Sequence, residues 1–296
     1  MSFHSGYIAI IGLPNAGKST LLNRLLDKEL CIVSNKPQTT RNSILGIRNF
    51  EDHQMIFIDS PGWYEGKLKV DSFYREQVTQ TIQDADIVIF VLDGTQPQFK
   101  QNKNLINLVR SSKNKEIILV FNKIDRLKQA KMIPLLSQIA EDHPDLSEIV
   151  PCSARDGHNV DVLLDIIKSK IPEGPELYPD DMYTDKSPSF LMSEFLREAY
   201  IKFLDEELPF VLAVVVEDFK DFDTRMEFRI SVYVERAGQK AILIGPGGAL
   251  IHQIKRDSIM RARKFFSKKI VLDMWIKVKP NWRQSESILK QIGYKI

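Results

Sequence analysis

Residues 12–20 read GLPNAGKST, which fits the spacing GxxxxGK[ST] between a short apolar run (YIAII, 7–11) and a helical pattern. Flanked that way, the spacing describes an anion cradle. Gly12 and Gly17 let the backbone curl until its N–H groups converge on phosphate. Lys18 carries a positive charge to the β- and γ-phosphates of a nucleotide, and Ser19 offers a hydroxyl to Mg2+. The helix that begins near Lys18 turns its positive end to the same place. Asn15, Ala16 and Thr20 complete the expected contact set on this loop.

Two further segments choose the purine. FNKID (121–125) and SAR (153–155) each end a strand-like run, where ligands of open α/β sheets sit. The carboxylate of Asp125 matches the adjacent N1–H and 2-amino donors of guanine, whereas adenine would leave it unpaired. Asn122 and Lys123 precede it; Ser153, Ala154 and Arg155 close the base side, with the Ala154 N–H expected at the guanine O6. Behind a phosphate loop, this order favours GTP over ATP.

DSPGW (59–63) supplies Asp59 for Mg2+, through a water, and the Gly62 N–H for the γ-phosphate. QTTR (38–41) lacks periodicity, as a mobile loop should, and Thr40 completes the Mg2+ shell. Loss of the γ-phosphate would release both loops, which makes a switch. Lys18, Thr40 and Gly62 are therefore the groups expected to act on the reacting phosphate. After Gly62, where many GTPases place a water-orienting Gln, stands Trp63. An indole neither acts as a base nor orients water through a carbonyl, so intrinsic turnover is expected to be slow, on the order of minutes or longer. Asp93, in the turn LDGTQ, and His53, at a hairpin end, are weak candidates for a replacement base.

These residues need a scaffold, and the chain contains one. YIAII (7–11), QMIFI (54–58), IVIFVL (87–92), IILVF (117–121) and IVPC (149–152) read as buried strands alternating with helical patterns. That order implies a doubly wound α/β sheet, mostly parallel. PEGPELYPDDMYTDKSP (172–188) holds four prolines and reads as a linker. Beyond it comes a helix (190–206), strands at 210–217 and 227–235, a glycine stretch, a basic helix (249–266) and an alternating strand (270–279), an α+β order. The expected division is residues 1–172, a linker over 173–187, and 188–296.

Charge separates the two parts. The net charge of +2 over 296 residues hides 12 basic against 2 acidic residues between Arg236 and Arg283, an electrostatic footprint for nucleic acid. Cys31 and Cys152 stand far apart and give no metal or disulfide spacing, which points to a reducing compartment. With neither a signal pattern nor an apolar run of about 20 residues, the expectation is a cytoplasmic protein, with peripheral membrane association left open.

GLPNAGKST, KPQTTR, DSPG, NKID and SARDGHNV, in this order, resemble the Era GTPases, and so do LPFVLAVVVEDF, ISVYVERAGQKAILIG, LDMWIKVKPNWR and the terminal IGY. The resemblance covers nearly the whole chain. It implies a Ras-like GTPase domain followed by a type II KH domain, Mg2+ and GTP or GDP as ligands, and binding of the 3′ end of small-subunit ribosomal RNA during maturation of that subunit. It further implies a monomer, with K+ accelerating hydrolysis beside Asn15, and an apolar residue where Trp63 stands. Family members usually have Thr where this chain has Ser60.

The glycine stretch IGPGG (244–248) then reads as the GxxG loop of a KH domain, with Gly245 and Gly248 letting an RNA backbone pass close. Pro246 and Gly247 supply no charge, and Pro246 lacks an N–H. Phosphate contacts are expected from Lys240, Lys255, Arg256, Arg261, Arg263 and Lys264, and base contacts from Ile244, Leu250, Ile251 and Ile254, although these apolar residues also fit a plain core. About five neutralised phosphates would give a salt slope near −3.5 on a single strand. Two other classes fit part of this pattern: a GTP-dependent module whose basic domain meets protein or lipid, and a nucleotide kinase, against which the guanine-reading residues argue.

Overall fold

Apolar strands with no polar alternation demand cover on both faces, and the N-terminal sheet has it. A computed structural model describes residues 2–34, 43–63, 69–97, 99–112, 115–146, 148–204 and 212–282. Thr40 and the QTTR stretch, parts of LPFVLAVVVEDF, Arg283 and the terminal IGY lie outside the described residues. The chain divides into two units, Met1–Asp185 and Lys186–Ile296.

The first unit runs β1 (His4–Gly12), α1 (Lys18–Leu26), β2 (Ile44–Asn49), β3 (His53–Asp59), α2 (Lys69–Asp84), β4 (Ile87–Asp93), α3 (Phe99–Ser111), β5 (Glu116–Asn122), α4 (Gln129–Asp142), β6 (Glu148–Cys152) and α5 (Val160–Lys170). The sheet order is β2-β3-β1-β4-β5-β6, with β2 antiparallel to β3 and the other pairs parallel. Ile8 to Ile11 and Ile87 to Val91 are almost fully buried, which the sequence runs anticipate. The sequence pattern does not announce β2: Gly46 and Arg48 interrupt its apolar residues, and only its pairing with β3 makes it a strand.

The second unit contains α6 (Pro188–Phe203), β7 (Ala213–Asp221), β8 (Arg225–Val234), α7 (Ala237–Ile244), α8 (Ala249–Phe266) and β9 (Lys269–Val278). Ser187 caps α6 by accepting from the Phe190 N–H at 3.2 Å, with Pro188 at the first helical position where its missing N–H costs nothing. β7 pairs antiparallel with β8, and β8 parallel with β9. On α8, Ile254, Ser258 and Ala262 recur every fourth residue and form its buried stripe.

The proline-rich stretch expected as a linker is, over residues 172–183, fastened to the first unit. Proline lacks a donor but keeps its carbonyl, and Ser5 donates to Pro172 O (3.1 Å) and, through its hydroxyl, to Pro175 O (2.6 Å). Gln54, fully buried on β3, uses its whole amide: Nε2 donates to Tyr178 O (2.6 Å) and Asn49 Oδ1 (2.8 Å), and Oε1 accepts from the N–H groups of Leu177 (2.8 Å) and Tyr178 (2.9 Å). The Ile47 N–H on β2 donates to Tyr183 O at 2.9 Å, and Lys28 Nζ lies 3.0 Å from the centre of the Tyr183 ring. Gln54→Ala would strip three backbone groups of this segment of their partner. The expected loss is roughly 2–4 kcal/mol in urea unfolding of the full chain, with faster proteolytic cutting within 172–183.

Candidate nucleotide site and nucleic-acid interface

Strand ends and the turns that follow them place the chemistry. A cavity of ≈ 460 Å³ opens at the carboxyl ends of the parallel strands and is lined by Asn15, Gly17, Lys18, Ser19 and Thr20 of the phosphate loop, by Gly62, and by Asn122, Lys123, Asp125, Ala154 and Arg155. Segments as far apart in sequence as Asn15 and Arg155 thus meet at one place. Gly12, Ala16, Asp59 and Ser153, also expected as contacts, are buried next to lining residues and are not part of the lining itself.

Asn122 is the joint. Its Nδ2 donates to Ala16 O at 2.8 Å, and its Oδ1 accepts the Ala154 N–H at 3.0 Å. Gly17 has φ 99, and a Cβ there would come within 2.3 Å of Asn122 Nδ2, so glycine is needed both for the turn and for the close approach. The Ala154 N–H, expected at the guanine O6, donates in this structure to Asn122 Oδ1. Asp125 is held from one side: Oδ1 accepts from Ser153 Oγ at 2.8 Å, while Oδ2 lies 3.0 Å from the Arg155 guanidinium without an aligned hydrogen bond. Arg24 of α1 steadies the same loop through the carbonyls of Ala154 and Arg155, a contact no local motif announces.

Lys18 is 6% exposed and donates to the carbonyls of Gly12 (3.2 Å) and Leu13 (3.0 Å). Burial pushes its ammonium down to about 8, with the Asp59 carboxylate pulling the other way. Ser19 Oγ donates to Asp59 Oδ2 at 2.7 Å. Two hard oxygen donors thus stand side by side at the start of a helix, a set that suits Mg2+ bound together with phosphate oxygens. Ser60 is fully buried and bonds Ile10 O at 3.0 Å, so it ties β3 to β1 instead of facing the cavity. The Trp63 side chain packs on the buried cluster that includes Ala9, Ile11 and Phe90, and its backbone N–H donates to Gly12 O at 3.1 Å. His53 opens β3 and stacks on His4 at 5.1 Å, away from the cavity lining. Ile32, Val33, Ser34 and Tyr74 also line the cavity without having been singled out, since their positions follow from the fold rather than from a motif; so do Pro14 of the phosphate loop and Asp93, expected only as a candidate base.

In the second unit, Gly245 to Gly248 join α7 to α8, with a 3-10 turn over Pro246–Gly248. Gly245 has φ 74, and a Cβ there would lie 2.7 Å from Leu250 Cβ. Pro246 and Gly247 are exposed, Gly248 is partly so, and Ile244, Ile251, Leu250, Lys240 and Lys255 are partly exposed around them. Arg256, Arg263 and Lys264 are exposed. Two expectations need correction. Ile254 is fully buried and belongs to the core. Arg261 Nε donates to Glu198 Oε2 at 3.1 Å and its guanidinium lies 5.0 Å from the Phe195 ring, so it faces α6; the helical period sets it about 80° around α8 from Ile251 and about 120° from Lys255. Ile242, 50% exposed beside the glycine loop, was missed, since nothing in a helical apolar pattern marks which residue stays uncovered.

A mostly parallel sheet whose phosphate loop and strand ends meet at one cavity, on one chain with a paired-helix GxxG unit, defines a P-loop GTPase joined to a KH domain. The family described as 50S ribosome-binding GTPase matches residues 7–123, and the KH domain family matches 207–283. The GTPase Era of Halothermothrix orenii is 36% identical over 296 residues, covering 100% of both chains, and that of Syntrophus aciditrophicus is 37% identical over 294 residues, covering 99% and 95%. A crystal structure of Era in complex with MgGDPNP and nucleotides 1506–1542 of 16S ribosomal RNA superposes with TM-score 0.91 at 35% identity, covering 99% of this chain and 100% of that one. A crystal structure of a tyrosine-to-alanine variant of Aquifex aeolicus Era, bound to GDP.AlF4-, matches with TM-score 0.91 at 34% identity, with the same coverage. The chain belongs to the Era GTPase family, and it is a GTPase. No helix among the described residues is long and apolar enough to cross a membrane.

A lysine that binds its proton less well when folded makes stability rise with pH, because the unfolded chain holds more protons in the window between the two values. For Lys18 that window runs from about 8 to 10.5. Urea unfolding of the nucleotide-free protein should therefore show wild type gaining on Lys18→Met, by on the order of 2–3 kcal/mol, between pH 8 and pH 10. Parallel curves for the two proteins would contradict this.

Proposed function

We propose that this chain is a GTP-driven switch that binds the 3′ end of small-subunit ribosomal RNA through its KH unit and assists maturation of the small ribosomal subunit. The observation that carries the reading is the presence, on one chain, of a guanine-type nucleotide cavity and a GxxG helix pair. The match to an Era structure that holds both MgGDPNP and nucleotides 1506–1542 of 16S ribosomal RNA supports it.

Within this reading the backbone of residues 12–20 cradles the phosphates, Lys18 meets the β- and γ-phosphates, and Gly62 approaches the γ-phosphate from the next turn. Ser19 and Asp59, with Thr40, would hold Mg2+, which supplies charge neutralisation on the phosphates when bound. Asp125 takes the paired donors of guanine, and Ser153 keeps its carboxylate oriented. The Trp63 side chain, packed on the core, brings no group to the attacking water, so intrinsic hydrolysis is slow. Asn15, with φ 61, offers an oxygen-bearing side chain beside the cradle for K+. If K+ binds there, GTP turnover at equal ionic strength is several-fold faster in KCl than in NaCl, and Asn15→Ala removes the difference; equal rates in the two salts for wild type reject the K+ role.

For RNA, the loop shapes the groove and Lys240, Lys255, Arg256 and Arg263 carry the charge. With Arg261 turned to α6, about four phosphates are neutralised, and the slope of log K against log salt on a single-stranded 3′-end RNA is about −2.8. Gly248→Asp should weaken that binding at least tenfold and leave GTP binding intact; a flat salt dependence would refute the RNA reading. We place the protein in the cytoplasm as a monomer, with the basic face of the KH unit as the means of any peripheral membrane contact.

A further inference from the structure

Besides Asp125, the cavity lining carries a second carboxylate, Asp93 at the end of β4. Its oxygens are committed to different partners. Oδ1 accepts from the Thr95 N–H at 2.9 Å and the Thr95 hydroxyl at 2.6 Å, while Oδ2 meets Lys123 Nζ at 2.6 Å. The same ammonium donates to the carbonyl of Asn15, in the phosphate loop, at 2.6 Å. Lys123 Cε lies 4.0 Å from where a Gly17 Cβ would stand, so the aliphatic stem of Lys123 crosses directly over that loop.

Both ends of this bridge have left-handed backbone, with φ 67 at Lys123 and 61 at Asn15. Asn adopts that region readily, but Lys123 holds it at a cost of about 1 kcal/mol or more, and only where surrounding contacts over-determine it. Here the contacts form a chain: Thr95 fixes Asp93, Asp93 fixes the Lys123 ammonium, and the ammonium fixes the Asn15 carbonyl. The pair is well covered, with side-chain exposures of 21% for Lys123 and 19% for Asp93, so it is less screened than a surface ion pair.

We infer that Asp93 is a positioning residue for nucleotide retention: it holds Lys123 as a strut between the base-reading strand end and the phosphate loop. The inference rests on the guanine-nucleotide reading of this cavity. In this role Asp93 acts through its partners Thr95 and Lys123 and not on the reacting atoms. Removing it leaves Lys123 with one partner and no counter-charge, and both left-handed residues lose their brace. The choice of base persists, since Asp125 is held separately by Ser153.

The test is release of a fluorescent GDP from the full chain, chased with unlabelled GDP, for wild type, Asp93→Ala, Asp93→Asn and Thr95→Ala. The first-order rate reports only molecules that have bound nucleotide, so a smaller folded fraction does not imitate the effect. Asp93→Ala is expected to release GDP about tenfold faster or more. Asp93→Asn, which keeps an acceptor but not the charge, and Thr95→Ala, which frees the carboxylate on one side, are expected to fall between. Competition by GDP over ADP stays as in wild type. Should Asp93→Ala fail to fold, the other two variants decide, and release within twofold of wild type in both overturns the inference. So does an Asp93→Ala protein that no longer prefers GDP to ADP, since that would place Asp93 in base reading. If wild type itself retains no GDP, the nucleotide reading falls and the inference with it; wild-type retention with unchanged release from Asp93→Ala overturns the inference alone.

Discussion

The carboxamide of Asn122 is the constraint on which the nucleotide cavity depends. One small planar group donates to the phosphate loop at Ala16 and accepts from the base-side loop at Ala154, while nearly all of it is buried. A buried amide with a missing partner is costly, so the two loops it bonds and its own strand end are stable only in register with one another. The glycine at position 17 follows from this, because the amide leaves no room for a side chain. The spacing of the phosphate loop is thus set partly by a residue more than a hundred positions away.

Around that joint, charge is placed where folding alone would not put it. Lys18 is almost completely removed from water, and burial pulls its affinity for a proton down. A carboxylate behind it and two loop carbonyls are its partners. Such a group is costly to the folded chain and well suited to a polyanion, which would offset its desolvation. The paired oxygens of Ser19 and Asp59 follow the same logic for a divalent cation. Part of this unit's stability is given up to receive a ligand's charge.

Much of this was legible in the residues alone, and the reasons differ from place to place. The five core strands declare themselves because each is apolar on both faces, and the phosphate loop because its glycines sit between a strand and a helix. What stayed hidden was long-range or directional. β2 needs its partner β3 to be recognised, and Arg24 reaches the base-side loop from a helix face with no motif. The basic residues of α8 look alike in sequence, yet the helical period sends Arg261 to Glu198 on α6 while Arg256 stays exposed. The tie that Asn122 makes between Ala16 and Ala154 was hidden too, since the NKID pattern does not announce it.

The stretch after α5 has a consequence for behaviour in concentrated solution. β2 is the outermost strand of its sheet, and such a strand offers bare backbone groups to any neighbouring chain. Here the chain's own residues 178–183 take up part of that edge, through Tyr183 O on the Ile47 N–H and Asp180 O on the Asn49 side chain. Pro179 within these residues has no N–H, so at that position the cover presents no new donor. A segment that reads in one dimension as a spacer therefore also serves as a guard against strand-to-strand association between copies.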